Sequence, residues 1–258
     1  NTCTLNATNT IFSHSTATSS NPIIAKRTGI VNLTKCLFDL PCPTGVTCTG
    51  SVVNKDPSYT DVSSNDFTLT ACSPAINAGT NTGAPSTDII NTARPQFTTV
   101  DVGAYESTVA PLPKASLDFS VTTLSEDDPS TEQVIINVDQ AVSGPQTIDV
   151  TVSGSNITTG DYLLNNMTQS PFTITVPNGS MMSTAAFNIV NDVLPEGTEK
   201  AYFTLSNPSS GICIVDPKVD SMILEDNDPI AKNFNTNETY YSLQDAIDDA
   251  MDEQLIML

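Results

Sequence analysis

Three acidic groups punctuate the second half of this chain: Glu126-Asp127-Asp128, then Asp192, Glu196 and Glu199 within the run Asn191–Glu199, then Glu225-Asp226-Asn227-Asp228. The run Asn191–Glu199 follows an alternating stretch, Ser183 to Val190, and precedes another, Ala201 to Ser206, so it reads as the loop between two antiparallel strands. Three carboxylates and an amide in one loop repel one another unless a cation sits among them, and the nearest side-chain cation in sequence is Lys200. Hard oxygen ligands gathered from several loops are what Ca²⁺ takes, roughly six to eight of them at about 2.3–2.6 Å. The chemistry these residues suggest is therefore cation binding at the end of a β-sandwich.

Composition narrows the alternatives. Hydrophobic residues make up 38% of the 258 and charged residues 15%, with Thr, Ser and Asn filling the gap, which suits strands and turns better than long helices. Trp is absent and His14 is the single histidine, so a His-based zinc site or general base has almost nothing to work with. The net charge of −20 is concentrated: residues 1–114 carry 7 acidic and 6 basic side chains, residues 115–258 carry 22 and 3. An acidic half of this kind repels nucleic acid and anionic membrane and attracts cations, so no nucleic-acid partner is expected. No run of about 18 apolar residues is present, so no membrane insertion is expected.

Five of the six cysteines lie within the first 72 residues. Cys42 and Cys48 bracket the short loop Pro43–Thr47, and two readings stay open: a disulfide in an exported protein, or buried thiols in a core ladder. The chain opens without a signal-peptide pattern and stops abruptly, which suggests a section of a longer modular array.

Residues 1–107 show short β-rich runs at Leu5–Phe12, Gly29–Phe38, Thr47–Val53 and Asp66–Thr70, separated by Asn, Gly, Pro and Ser turns. The spacing of the first two suits one coil of a solenoid, with Asn9–Phe12 and Asn32–Phe38 as successive rungs. Further on come Ser73-Pro74-Ala75-Ile76-Asn77-Ala78-Gly79, Arg94-Pro95 and Val100-Asp101-Val102-Gly103-Ala104-Tyr105-Glu106. This series resembles the C-terminal end of right-handed parallel β-helix proteins of the pectate-lyase-like superfamily. Pro74, Pro95, Gly79 and Gly103 are suited to stopping a strand ladder, and Asp88, Arg94 and Asp101 could form a buried ion pair that fixes the cap.

After a Pro-rich joint over 108–114, seven strands are expected within 115–228: Ala115–Thr122, Gln133–Val138, Gln146–Ser153, Phe172–Val176, Met182–Val190, Ala201–Ser206 and Lys218–Leu224. The features Leu124-Ser125-Glu126, Gly160-Asp161-Tyr162, Val176-Pro177-Asn178-Gly179, Asn191-Asp192, Glu196-Gly197-Thr198-Glu199 and Glu225-Asp226-Asn227-Asp228 follow in order and resemble the Calx-β motif. The resemblance implies a calcium cluster at one end of the sandwich, with Glu126, Asp161, Asp192, Glu196, Glu225, Asp226 and Asp228 as metal ligands and Glu199 a less certain one. Asn191 and Asn227 stand where that pattern often has Asp, which lowers ligand charge and implies a weak, structural, extracellular-type site. Tyr162 is expected in the core, and Met182 as a packed strand residue.

Residues 229–258 contain one convincing helix, over Tyr241–Ala250, with Ser242 as N-cap and Leu243, Ala246, Ile247 and Ala250 as an apolar stripe. The segment ends in a short strand, Leu255–Leu258, and resembles the N-terminal cap and first strand of another parallel β-helix.

The expected fold is thus all-β: coils of a parallel β-helix, a seven-stranded sandwich, then a capping helix and strand. The expected function is a non-catalytic, calcium-binding structural or adhesive module of a large secreted or cell-surface protein. Its partners would be neighbouring copies of itself, adjacent β-helix modules, or surface glycans. The alternative is a fragment of a polysaccharide-acting or glycan-binding β-helix protein. Against it, the polar groups of the first 65 residues show no paired spacing, and no aromatic platform stands out for a sugar.

Overall fold

The computed structural model describes residues 3–13, 28–52, 54–128, 131–155, 157–215, 217–251 and 254–257. His14, Lys26 and Arg27, among the groups considered for catalysis, and Leu258 of the last expected strand lie outside the described residues. The chain divides into two compact units, Asn1–Leu112 and Pro113–Leu258.

The first unit begins with β1 (Thr4–Thr8), β2 (Ile11–Phe12), β3 (Ile30–Thr34), β4 (Leu37–Phe38) and β5 (Thr47–Thr49). β1, β3 and β5 form one parallel ladder and β2 with β4 another, continued by a bridge from Leu37 to Val52. Thr4 pairs with Ile30 and Asn32 with Thr47, so successive turns of the chain take 26 and 15 residues. Between the two ladders the backbone bends at the same place each time: Asn9, Lys35 and Gly50 all have positive φ, at 52°, 51° and 56°. Asn and Gly tolerate this left-handed geometry, whereas Lys35 adopts it at a cost that stacking must offset. Asn9 N–H donates to the Thr34 carbonyl and Lys35 N–H to that of Thr49, which links corner to corner. Inside, Leu33, Cys36 and Phe38 are sealed from solvent, and Phe12 stacks on Phe38 at 4.9 Å. The Cys42–Cys48 disulfide is formed, and Cys36 is a buried free thiol, so each reading of the cysteines holds at a different position.

A hairpin of β6 (Tyr59–Asp61) and β7 (Asp66–Leu69) follows, joined by the 3₁₀ turn Val62–Ser64, and then a cap built from loops. Asp61 caps that turn: hydrogen bonds from Ser63 and Ser64 hold its carboxyl down at about 2. In the loop cap, the ion pair that Arg94 makes is with Glu106, not with Asp88 or Asp101. The two aspartates do a different job. Asp101 accepts the N–H groups of Asn77 and Ser107, and Asp88 accepts those of Ile90, Thr92 and Glu106, so loop backbone without a strand partner is satisfied by side chains. Gly103 has the positive φ, 110°, expected of it. Gly79 serves another purpose: a Cβ there would lie 2.6 Å from the Val100 carbonyl oxygen, so it permits close approach rather than a special angle.

In the second unit β8 (Lys114–Phe119), β9 (Thr123–Ser125), β10 (Glu132–Val138), β11 (Gln146–Ser153), β12 (Tyr162–Leu164), β13 (Phe172–Val176), β14 (Met182–Ile189), β15 (Glu199–Ser206), β16 (Cys213–Ile214) and β17 (Val219–Glu225) build two five-stranded sheets. One runs β12-β14-β10-β8-β16 and the other β13-β11-β15-β17-β9. The seven long strands are those the alternation predicts. The three short edge strands β9, β12 and β16 are additions, too short for a period of two to be read. Alternating residues such as Val134, Ile136, Ile148, Val150, Phe187 and Phe203 meet in one core. Burial of each stabilises by about 1.5–3 kcal/mol. Tyr162 belongs to it, stacked on Phe187 at 5.6 Å. Met182 does not: the inward parity of β14 falls on Ala185 and Phe187, which leaves Met182 half exposed on the other face.

The last segment holds β18 (Ala231–Asn233), β19 (Thr239–Tyr240), α1 (Leu243–Asp249) and β20 (Ile256–Met257) around a small core of Ala231, Tyr240 and Ala246. Ser242 caps α1 by accepting the Asp245 N–H. Of the apolar stripe only Ala246 is fully buried; Leu243 and Ile247 face outward. No helix among the described residues is long and apolar enough to cross a membrane.

Candidate metal centre

The carboxylates reach one end of the sandwich because of strand parity. β17 pairs with β15 on one side and β9 on the other, in a register that sets Glu199, Leu224 and Leu124 side by side. All three are buried. Side chains alternate between faces along a strand, so two residues beyond Leu124 and Leu224 the inward positions fall on Glu126 and Asp226. The Glu126 N–H donates to the Glu225 carbonyl and extends the pairing by that one step. The apolar interior therefore runs directly into acids.

Glu126, Asp226 and Asp228 each bring a carboxylate oxygen within 4.8 Å of the others. Asp226 also ties the loops together: its Oδ2 accepts the N–H groups of Glu196 and Gly197, and its Oδ1 that of Asp228. Asn191 Nδ2 donates to the Glu126 carbonyl and fastens the start of the same loop. Asp161, buried beside β12, takes the N–H and hydroxyl of Thr158, while its carbonyl accepts the Val190 N–H. Asp192 is exposed and holds its own loop by accepting the Leu194 N–H at 2.7 Å.

Glu225 is placed differently. One residue out of phase with Leu224 and Asp226, its side chain lies on the exposed face, and only its backbone carbonyl meets the Glu126 loop. Glu199 is the reverse case. It opens β15 in phase with Ala201, Phe203 and Leu205, and it is buried. That parity was the available signal for its position.

The electrostatics are those of negative charge held close without compensation. Burial first, then the charges of Asp226, Asp228, Glu196 and Asp192, push the Glu126 carboxyl up to about 7. Burial and neighbouring acids also raise Glu196, Glu199 and Asp228. Asp226 moves the other way: burial would raise it, but the N–H donors of Gly197, Asp228 and Glu196 outweigh that and lower it. Glu126 Oε2, Glu199 Oε1 and Asp228 Oδ2 are buried with no hydrogen-bond partner among the described residues. Lys200, the nearest basic residue in sequence, has its ammonium over the Tyr202 ring at 5.3 Å.

A buried acceptor without a partner costs about 1–3 kcal/mol, and more when charged. Three such oxygens in an all-oxygen donor set fit a hard divalent cation such as Ca²⁺. The set offers carboxylates alone among titratable side chains, with neither the imidazole nor the thiolate that zinc favours.

No protein-family profile and no curated protein sequence matches this chain. Solved structures similar to it include the apo-form Calx CBD1 domain, at 18% identity over 45% of this chain and 99% of that one, with a TM-score of 0.37. CBD12 from CALX1.2 is similar at 17% identity over 47% of this chain and 48% of that one, also with a TM-score of 0.37. The E. coli chaperone DraB shows 12% identity over 45% of this chain and 57% of that one, with a TM-score of 0.28.

Proposed function

We propose that residues 115–228 form a calcium-binding, non-catalytic structural module, of the Calx-β type, in a secreted or cell-surface protein. The observation that carries this reading is the convergence of Glu126 Oε2, Glu199 Oε1 and Asp228 Oδ2, buried and without partners, at one end of the sandwich. Glu126, Asp226 and Asp228 would hold the ion directly, with Asp161, Asp192, Glu196 and Glu199 close by from the facing loops. Bound Ca²⁺ would supply the positive charge that these loops lack and so lock four chain segments to one point. The stacked parallel strands of the first unit agree with the end of a β-helix. A stiffened sandwich beside such coils suits a spacer or adhesive array, with neighbouring copies or adjacent β-helix modules as partners.

The test is the melting temperature of chelator-treated protein as Ca²⁺ is added. A ligand that binds only the native state stabilises by RT ln(1 + [L]/Kd), about 2.7 kcal/mol when [L] is about 100 Kd. Glu126→Gln and Asp228→Asn should abolish the rise, whereas Glu225→Gln should leave it intact. No rise at millimolar Ca²⁺ would refute the reading.

A further inference from the structure

Two depressions of about 560 Å³ each lie on the first unit and share a wall made of Tyr59 and Phe67. The rings meet edge to face, centroids 5.4 Å apart and planes at 90°. They come from the two strands of the β6–β7 hairpin, where Tyr59 pairs with Leu69. Leu69 is buried, and Phe67, two residues earlier and so on the same side of the strand, is 39% exposed. The core-facing side of the hairpin thus runs past the edge of the core and offers an aromatic ring to solvent.

One exposed Phe would mean little, since much of any protein surface is apolar. The surroundings distinguish this one. One depression continues from the aromatic wall over Ile11 and Tyr105, and the other over Asp39 and Asp56. Both volumes fall in the range of small-molecule clefts, which pair apolar walls with a few placed polar groups. Asp39 and Asp56 act on Tyr59 itself: burial first, then these two charges, hold its phenol above the ordinary value against the hydrogen bond from Ser13.

We propose that this double cleft binds a neutral oligosaccharide, with pyranose rings lying against Tyr59 and Phe67 and sugar hydroxyls donating to Asp39 and Asp56. The chemistry selects among ligands. Ionised carboxylates only accept hydrogen bonds, so they need a ligand rich in donors, and adjacent sugar hydroxyls supply them. Neither depression is lined by Lys or Arg, so a polyuronate would meet like charge without a counter-ion. A proline-rich peptide would suit the aromatic wall but has few N–H groups to offer the acids. Sequence reasoning missed the platform because Tyr59 and Phe67 are eight residues apart and are united only by the hairpin.

The test is isothermal titration of the full chain, at millimolar concentration, with cellohexaose, mannohexaose and chitohexaose, and with trigalacturonate and a proline-rich decapeptide as competitors of other chemistry. At least one neutral hexasaccharide should bind. Phe67→Ala should weaken it about tenfold or more, which is about 1.4 kcal/mol, and Asp56→Asn should weaken it as well, both with unchanged melting temperature. Because the cleft lies apart from the acidic end of the sandwich, chelation of Ca²⁺ should not alter the result, so the two proposals fail separately. Absence of binding by all three neutral sugars would overturn the proposal. So would binding indifferent to Phe67→Ala, or equal or stronger binding of trigalacturonate or the peptide.

Discussion

Arg94 and Glu106 form an ion pair, Nε to Oε2 at 3.4 Å, with side chains only 4% and 1% exposed. Around it, Arg94 Nη2 donates to the Gly103 carbonyl, and Glu106 accepts the N–H groups of Gln96 and Asp101. One pair thereby organises a cap that has little regular secondary structure.

Removing one partner leaves the other charged, buried and uncompensated. Arg94→Met should therefore destabilise the first unit by about 3–5 kcal/mol, and the double variant Arg94→Met/Glu106→Gln by less than the sum of the single changes. Urea unfolding of the four proteins measures both quantities.

Metal-free stability should depend on pH in a set direction. The folded-state pKa of Glu126 is raised to about 7, and those of Glu196, Glu199 and Asp228 are raised as well. Between the ordinary carboxyl range and about 7, the folded chain holds protons that the unfolded chain has released. Stability is therefore greatest at the acidic end of that window and falls as pH rises through it. Melting temperatures of chelated protein between about pH 5 and 8 should decline, and saturating Ca²⁺ should remove most of the decline.

The same reasoning gives Glu126→Gln two opposite effects. Without metal at pH 8 the variant loses a buried charge among like charges, so its melting temperature should rise by a few degrees. With Ca²⁺ it should gain less than the parent. Paired melts with chelator and with Ca²⁺ read both; a fall in the metal-free melt would show that Glu126 is held by contacts other than repulsion.

The Cys42–Cys48 disulfide closes a short loop, with a sequence separation of 6. Chain-entropy arguments give such a closure about 2 kcal/mol. The double variant Cys42→Ala/Cys48→Ala should lose about that much on chemical unfolding of the first unit, and a loss well above it would point to strain relieved elsewhere by the bond.

Much of this was legible in the residues because a period of two survives wherever a strand is long. Val134, Ile136 and Val138, or Phe203 and Leu205, declare a face without any neighbour's help. Strands of two or three residues, such as Cys213–Ile214 and Tyr162–Leu164, carry too few alternations to declare anything. The corner at Lys35 was hidden for another reason: a positive φ on a lysine is imposed by the turns stacked against it, above all Gly50, whose side leaves room for the Lys35 stem. At the acidic end, residue type showed where the charges gather, but only the register between β9, β15 and β17 separates Glu199, turned in, from Glu225, turned out.

That register makes the acidic end sensitive to length more than to lettering. Exchanging one acid for another at Asp226 or Glu126 keeps an oxygen in place. Inserting or deleting a single residue between Leu224 and Asp226 would rotate the whole tail by one position, turn Glu225 inward and carry Asp226 and Asp228 to the outer face. Lineages of this module should therefore accept drift in the identity of these acids while purging every change of frame at that strand end.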